Sequence, residues 1–318
     1  VPKIIEATDP AINQAAISLR QGKLVAFPTE TVYGLGADAT SDRAVASIYA
    51  AKGRPTFNPL IIHFADLVIL ESHVHWNNQA QLLADQFWPG PLTLVLSRSE
   101  KSKISLLSSA GLDTLAVRIP SHPVAQKLLR SVGIPIAAPS ANASGKLSPT
   151  TPLHVAESLG NNVDLILAAG RTTVGLESTV LDLSAPRPTI LRPGGITREQ
   201  IERLIGAVDL PVAVSNDSNP VAPGMLSSHY APNIPLRMNV ISAEPDEGLL
   251  LFGADTFVKG GLVRLNLSEQ GDLNEAAANL FFMLRQLDQQ QLKGIAVMPI
   301  PETGLGVAIN DRLKRASH

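Results

Sequence analysis

The sequence predicts an α/β fold: a large twisted mixed sheet with helical cover, followed by a small C-terminal α/β domain. Three observations carry this. Between about residues 11 and 206, short aliphatic runs alternate with stretches of helical period. Five prolines, Pro211, Pro220, Pro223, Pro232 and Pro235, crowd 25 positions of a chain that holds 24 prolines in 318 residues. Beyond them the alternation resumes on a smaller scale. The length is enough for two cores. The expected division is a catalytic-sized domain at 1–206, a Pro-stiffened linker at 207–237 and a small domain at 238–318.

The runs at 24–27, 60–64, 92–96, 114–119, 134–138, 163–168, 178–183 and 189–192 are apolar and bounded by Gly, Pro, Ser or Asp, so they read as strands. About eight strands in under 200 residues imply one large sheet. The link between 183 and 189 is too short for a helical crossover, so those two strands pair antiparallel. Residues 41–51 put Ala44, Val45, Ile48 and Tyr49 on one face behind a Ser41 or Asp42 cap, which predicts a helix. Residues 79–88 and 123–132 read the same way, and Thr197 with Gln200 forms a capping box that opens a helix to about Ile205. In the last third, 248–252, 261–265 and 294–298 read as strands, and 273–287 and 306–315 as helices.

Composition narrows the function. Hydrophobic residues make up 45% and charged residues 17%, which rules out a disordered chain. A net charge of −2 gives no whole-chain basic footprint for nucleic acid. With no cysteine, disulfides, thiolate zinc sites, iron–sulfur clusters and thiol nucleophiles are excluded. No apolar run approaches the ~20 residues of a membrane span, and the early Pro2 and Glu6 do not fit a signal peptide. The expectation is a cytoplasmic protein with no membrane partner.

Weak motifs are set aside first. Gly34-Leu-Gly36-Ala-Asp-Ala39 resembles a dinucleotide fingerprint but begins too far after its strand, and it reads as turn glycines. His73 and His75 lack a third metal ligand nearby. The stronger signal is a scattered set of cations and hydroxyls at element ends, where open α/β sheets bind ligands. Thr29 and Thr31 follow the first strand, and Lys52-Gly-Arg54 leaves a helix ahead of Asn58 and His63. Ser140, Asn142, Ser144 and Ser148 lie among small residues, and Arg118 and Arg192 end strands. Glu177-Ser-Thr179 opens a strand. A lysine point charge with planar guanidinium forks suits a polyphosphate. Within the linker, Pro223-Gly-Met-Leu-Ser-Ser-His-Tyr-Ala-Pro232 is too rich in Met, His and Tyr for a plain spacer.

In combination, the stretches 28–36, 52–54, 58–60, 138–145, 177–179 and 192–195 resemble the YrdC-like family, and the chain from Pro223 to its end resembles the two-domain threonylcarbamoyl-AMP synthases. That resemblance implies a nucleotidyltransferase that joins L-threonine, bicarbonate or CO2 and ATP into L-threonylcarbamoyl-AMP and pyrophosphate. The product would feed the t6A modification of tRNA through a separate transferase complex, without tight direct tRNA binding. By the same match, Lys52 and Arg54 are catalytic. Arg54, Asn58, Thr114, Ser140, Asn142, Ser148, Arg192 and Tyr230 face ATP, and Thr31, His63, Arg118, Ala138 and Ser178 face threonine. Arg118 is expected to clamp the threonine carboxylate with two hydrogen bonds. Mg2+ is expected with the ATP phosphates rather than on protein side chains, with no organic cofactor. The stretch 223–232 is expected to cover the pocket, with Tyr230 as its contact. Three other readings compete. An RNA-binding module lacks the aromatic–basic pattern. Carbamoyl-transfer domains of hydrogenase maturation carry Cys-rich zinc modules, which this chain lacks. The last is a regulatory ATP-binding protein without turnover.

Overall fold

A computed structural model describes residues 2–210, 229–254 and 258–317. The chain opens with β1 (Lys3–Glu6), α1 (Asp9–Arg20), β2 (Val25–Pro28), β3 (Tyr33–Asp38), α2 (Asp42–Lys52), β4 (Ile61–His63), α3 (Leu67–Glu71) and α4 (Asn78–Phe87). It continues through β5 (Leu92–Ser97), β6 (Thr114–Arg118), α5 (Pro123–Val132), β7 (Ile136–Ala137), α6 (Pro152–Leu159), β8 (Leu165–Ala168), β9 (Thr179–Asp182), β10 (Thr189–Arg192) and α7 (Arg198–Ile205). The last third holds β11 (Leu236–Arg237), β12 (Gly248–Leu251), β13 (Val263–Asn266), α8 (Leu273–Asp288), β14 (Ile295–Val297) and α9 (Leu305–Ala316).

Ten strands form one mixed sheet in the order β1-β8-β2-β3-β7-β4-β6-β5-β9-β10. β9 and β10 pair antiparallel, as their short link requires. A second sheet of four parallel strands has the order β11-β14-β12-β13. Successive residues of β2 feed opposite faces of the large sheet: Ala26 joins the core under α2 and α4, while Val25 and Phe27 join the core under α1 and α5. A third core, built mainly by α8, α9 and the small sheet, also takes in Val32, Leu147 and Leu176 of the first unit and Tyr230. The two units therefore share buried surface.

The sequence misses two strands of the large sheet. β3 is the instructive one, because Gly34 and Gly36 are strand residues and not turn glycines. β3 pairs antiparallel with β2 and lies under the Phe27 ring. A Cβ on Gly36 would stand 2.8 Å from that ring and 3.1 Å from an Ile136 methyl. Close packing, not turn geometry, excludes a side chain there. Helices α1, α3 and α6 also go unread, and the run at 134–138 shrinks to the two-residue β7. Most of the expected linker, 211–228, lies outside the described residues. Downstream of it, Leu236–Arg237 pairs into the small sheet as β11.

Candidate active site

Helix α2 delivers the first cations. Ser41 caps its start by accepting from the Ala44 N–H, and Gly53 ends it in the left-handed conformation with φ 58°. The chain then turns sharply, leaving Lys52 on the last turn and Arg54 beyond it, both buried. Lys52 Nζ donates to the Ser140 carbonyl at 2.5 Å and to the Asn142 carbonyl. Burial, and then the charge of Arg54, holds the Lys52 ammonium well below its usual pKa. Arg54 donates to the carbonyls of Asn58 (3.3 Å) and Pro59 (3.1 Å), which folds the 54–59 loop back on itself. Its pKa is lowered to about 10, chiefly by burial.

Strands β4 and β6 run parallel, and their register puts His63 beside Arg118 at their carboxyl ends. His63 is buried, and its pKa is lowered to about 3 by burial and then by Arg118. Arg118 donates to Glu30 Oε1 at 2.5 Å, Thr31 Oγ1 at 3.1 Å and the Gly90 carbonyl at 3.1 Å. Of its five N–H donors, three are engaged, leaving two for a ligand. The guanidinium thus has an internal carboxylate partner in Glu30.

The 138–148 loop is laced to β3: the Leu35 N–H donates to the Pro139 carbonyl at 2.8 Å, and Gly34 bridges Ser140. A Cβ on Gly34 would stand 3.3 Å from Ala138, so the bare strand lets the loop lie close. On the far side, β10 ends in Arg192. Its Nη2 donates to the Ser178 carbonyl (2.9 Å) and hydroxyl (3.2 Å), and that hydroxyl also bonds Thr93 Oγ1 at 2.7 Å.

These elements line a single cavity that opens in part to solvent. Its wall holds all five residues expected to face threonine: Thr31, His63, Arg118, Ala138 and Ser178. It also holds Arg54, Ser140, Arg192 and Tyr230 of the nucleotide set. Lys52, Asn142, Asn58 and Ser148 stand behind this wall. Lys52 and Asn142 join it through the loop backbone, and Ser148 gives its hydroxyl to the Glu177 carboxylate. Both amide atoms of Asn58 and the Nδ1 of His63 are buried without a partner among the described residues. Thr114 begins β6, four residues from Arg118 and so ~13 Å along the strand, away from the cavity. Of the expected cover at 223–232, residues 223–228 lie outside the described residues. His229 and Tyr230 line the cavity, and the Ala231 N–H donates to the Gly145 carbonyl at 2.8 Å. Tyr230 holds a strained φ of 64°, and its ring packs at a tilt against Phe281, 5.4 Å between centroids.

Sequence reasoning did not assign Glu30, Glu177, His229 or Arg312 a role at the site. Glu177 lies on the cavity wall and pairs with Arg312 Nε of α9 at 2.9 Å. Glu177 was visible only as part of Glu177-Ser-Thr179, and His229 only as part of the unusual linker stretch. The partners of Glu30 and Glu177 are 88 and 135 residues away, so no local signal marks them. Five buried cations (Lys52, Arg54, Arg118, Arg192, Arg312) stand in or behind the wall against two buried carboxylates (Glu30, Glu177) and the partly exposed Asp311, which pairs with Arg312. The surplus favours a polyanion.

Residues 18–194 match the family described as telomere recombination, which groups the Sua5, YciO and YrdC proteins. Residues 196–318 match the threonylcarbamoyl-AMP synthase C-terminal domain. The chain belongs to this family of two-domain α/β proteins. It is 42% identical to the threonylcarbamoyl-AMP synthase of Bacillus subtilis, across 98% of this chain and 94% of that protein. It is similar to the crystal structure of P. abyssi Sua5 complexed with L-threonine, with a TM-score of 0.90 and 40% identity over 100% of this chain and 97% of that one. E. coli YciO matches only 61% of this chain but 96% of its own, with a TM-score of 0.55 and 25% identity.

Proposed function

We propose that this chain joins L-threonine, bicarbonate (or CO2) and ATP into L-threonylcarbamoyl-AMP and releases pyrophosphate. One observation carries the reading: a single cavity wall brings Thr31, His63, Arg118 and Ser178 together with Arg54, Ser140 and Arg192. The first group can read a small hydroxy amino acid, and the second can hold phosphates. The similarity to a B. subtilis enzyme of that name supports the same reaction.

The neutral threonine amine bonds to CO2 to give a carbamate and loses one proton to solvent; when bicarbonate is the source, that proton leaves with the departing hydroxide as water. A carbamate oxygen then attacks the α-phosphorus, the bond to the bridging oxygen breaks, and pyrophosphate leaves. This is nucleotidyl transfer without a covalent enzyme intermediate, so positioning and charge neutralisation must supply most of the rate. Arg54 and Arg192 face the phosphate charge, while Lys52 fixes the Ser140 loop from behind. Arg118 offers its two remaining N–H groups to the threonine carboxylate, and neutral His63 offers an acceptor or a donor to the threonine side chain or amine. Asn58, Asn142 and Ser148 belong to the nucleotide half of this reading, as the family resemblance implies, whereas Thr114 stands away from the cavity and is given no part in it. Mg2+ comes with ATP as part of the substrate. The wall's N–H and hydroxyl donors suit phosphate oxygens, and its carboxylate, Glu177, is already held by Arg312 and Ser148. The product passes to a separate transferase complex acting on tRNA. A cytoplasmic site of action, where ATP and tRNA meet, goes with this reading. Among the described residues, no helix is long and apolar enough to cross a membrane.

The test is pyrophosphate release from ATP with threonine and bicarbonate each omitted in turn. Turnover should require both; release that ignores either one refutes the reading.

A further inference from the structure

We infer that the C-terminal unit takes part in the reaction, with Arg312 on α9 as a positioning residue for the nucleotide side of the cavity. The inference rests on the proposed function. Arg312 has no exposed surface, although its chain segment belongs to the other unit. Its Nε donates to Glu177 Oε2 at 2.9 Å and its Nη1 to Asp311 Oδ2 at 2.7 Å, while its guanidinium lies 5.3 Å from the centre of the Tyr230 ring; Asp311 is also held by Arg315 at 3.0 Å, so it keeps a cation when Arg312 is replaced. Glu177 and Tyr230 are both on the cavity wall. The other oxygen of Glu177 accepts from Ser148. One buried cation of the small unit thus sets a carboxylate, a hydroxyl and an aromatic ring at the catalytic cavity.

The loop that carries Glu177 is seated on the same unit. Gly175, with φ 73°, lies so close to α8 that a Cβ would come within 2.5 Å of the Ala278 Cα and 2.6 Å of the Ala277 carbonyl oxygen. Arg171 donates to the Ala278 carbonyl at 2.5 Å and to Asn279 Oδ1 at 2.7 Å, and covers the Phe282 ring at 4.3 Å. The segment leading to Ser178 therefore takes its position from α8 and α9.

A buried ion pair contributes little net stability compared with an apolar pair of similar shape, so its place in the wall is the more telling fact. Glu177 is an anion in a site built for anions. Burial alone would push its carboxyl up, but Arg312, Arg192 and Ser148 outweigh that and hold it below its usual range. With Arg312 present, the carboxylate is neutralised from behind. Without Arg312, it turns to Arg192 and opposes the incoming phosphates. The threonine carboxylate, on the Arg118 side, stands apart from this exchange, which reaches threonine only through the Ser178 hydroxyl that Arg192 holds.

The test is calorimetric titration of Mg-ATP, and separately of L-threonine, into the full-length wild type and into R312M, R312K and E177Q/R312M. R312M should weaken ATP binding about tenfold or more and threonine binding, which it reaches only through Ser178, by a clearly smaller factor. R312K, which keeps the charge, should lie between R312M and wild type. E177Q/R312M should regain most of the lost ATP affinity, because the uncompensated charge is gone. Two results overturn the inference: ATP and threonine affinities falling by the same factor in R312M, or a double variant no better than the single one. Should R312M fail to fold, R312Q against E177Q/R312Q, which likewise removes the cation, reads the same comparison. The wild-type titrations alone test the proposed function: a chain that binds ATP but no threonine refutes that function and leaves the Arg312 comparison standing, whereas one that takes up no ATP overturns both.

Discussion

Acidification should destabilise this protein in a way that His63 makes measurable. The imidazole lies buried beside Arg118, and its pKa falls from 6.5 to about 3. An unfolded chain therefore takes up a proton below pH 6.5 that the folded chain refuses until about pH 3. More protons bound by the unfolded state means that stability falls as pH falls through that window and is fully present above it. At pH 5 the two pKa values give a difference of roughly 1.5 units in proton-binding free energy, or about 2 kcal/mol from this residue alone. At pH 7.5 the difference is close to zero. About 2 kcal/mol corresponds to roughly 3 °C in the thermal midpoint of a chain of 318 residues. His154 and His229 are also lowered, chiefly by burial, and act in the same direction. The share of His63 is isolated by comparing wild type with H63Q. Circular dichroism melts at pH 7.5 and pH 5 should show a smaller acid-induced loss in H63Q, by about 2 kcal/mol. An identical loss in both would mean that His63 is charged or solvated in the folded state, and the reasoning about a neutral imidazole in the threonine half would fail. For the same reason, kcat/KM for threonine should show no inflection attributable to His63 between pH 5 and 8.

Three further outcomes are expected. R54A and K52A should each reduce pyrophosphate release by at least about 10²-fold, through lost phosphate neutralisation and a released Ser140 loop respectively, while the far-ultraviolet spectrum stays folded. Activity near wild type in both would leave the cationic wall without a role. Serine should replace threonine with a penalty of only ~10–200-fold, since one methyl group separates them, whereas valine should fall by ~10⁴-fold or more, because it leaves buried polar groups unpaired; equal rates with valine would contradict a hydroxyl-reading pocket. G36A should lower stability by about 1–3 kcal/mol, because its new methyl meets Phe27 at 2.8 Å, and a melting curve like wild type would count against the tight β2–β3 packing.

Much of the site was legible because its residues stand at the ends of apolar runs. His63, Arg118 and Arg192 each close a strand that hydrophobic patterning marks out, and their convergence follows from parallel β4 and β6 and from the β9–β10 hairpin. The exit of α2 was equally readable, from the Ser41 cap to the glycine between Lys52 and Arg54. β3 was hidden because its glycines, required by the Phe27 ring and the 138–148 loop, are also the usual signal for a turn. β1 was hidden because a four-residue edge strand with mostly exposed side chains has no apolar pattern to show. The pairings of Arg118 with Glu30 and of Arg312 with Glu177 join distant parts of the chain, and neither propensity nor spacing encodes them. The expected carboxylate clamp at Arg118 was incomplete for that reason: the sequence shows the guanidinium but not the internal acid that already holds it.

The most direct test follows one carbon atom. The chain is incubated with Mg-ATP, L-threonine and ¹³C-bicarbonate, and the adenylate formed is weighed by mass spectrometry. A single species containing AMP, threonine and the heavy carbon is the expected result. An adenylate of threonine without the labelled carbon would show activation at the amino acid's own carboxylate and contradict the carbamate route assigned to this cavity.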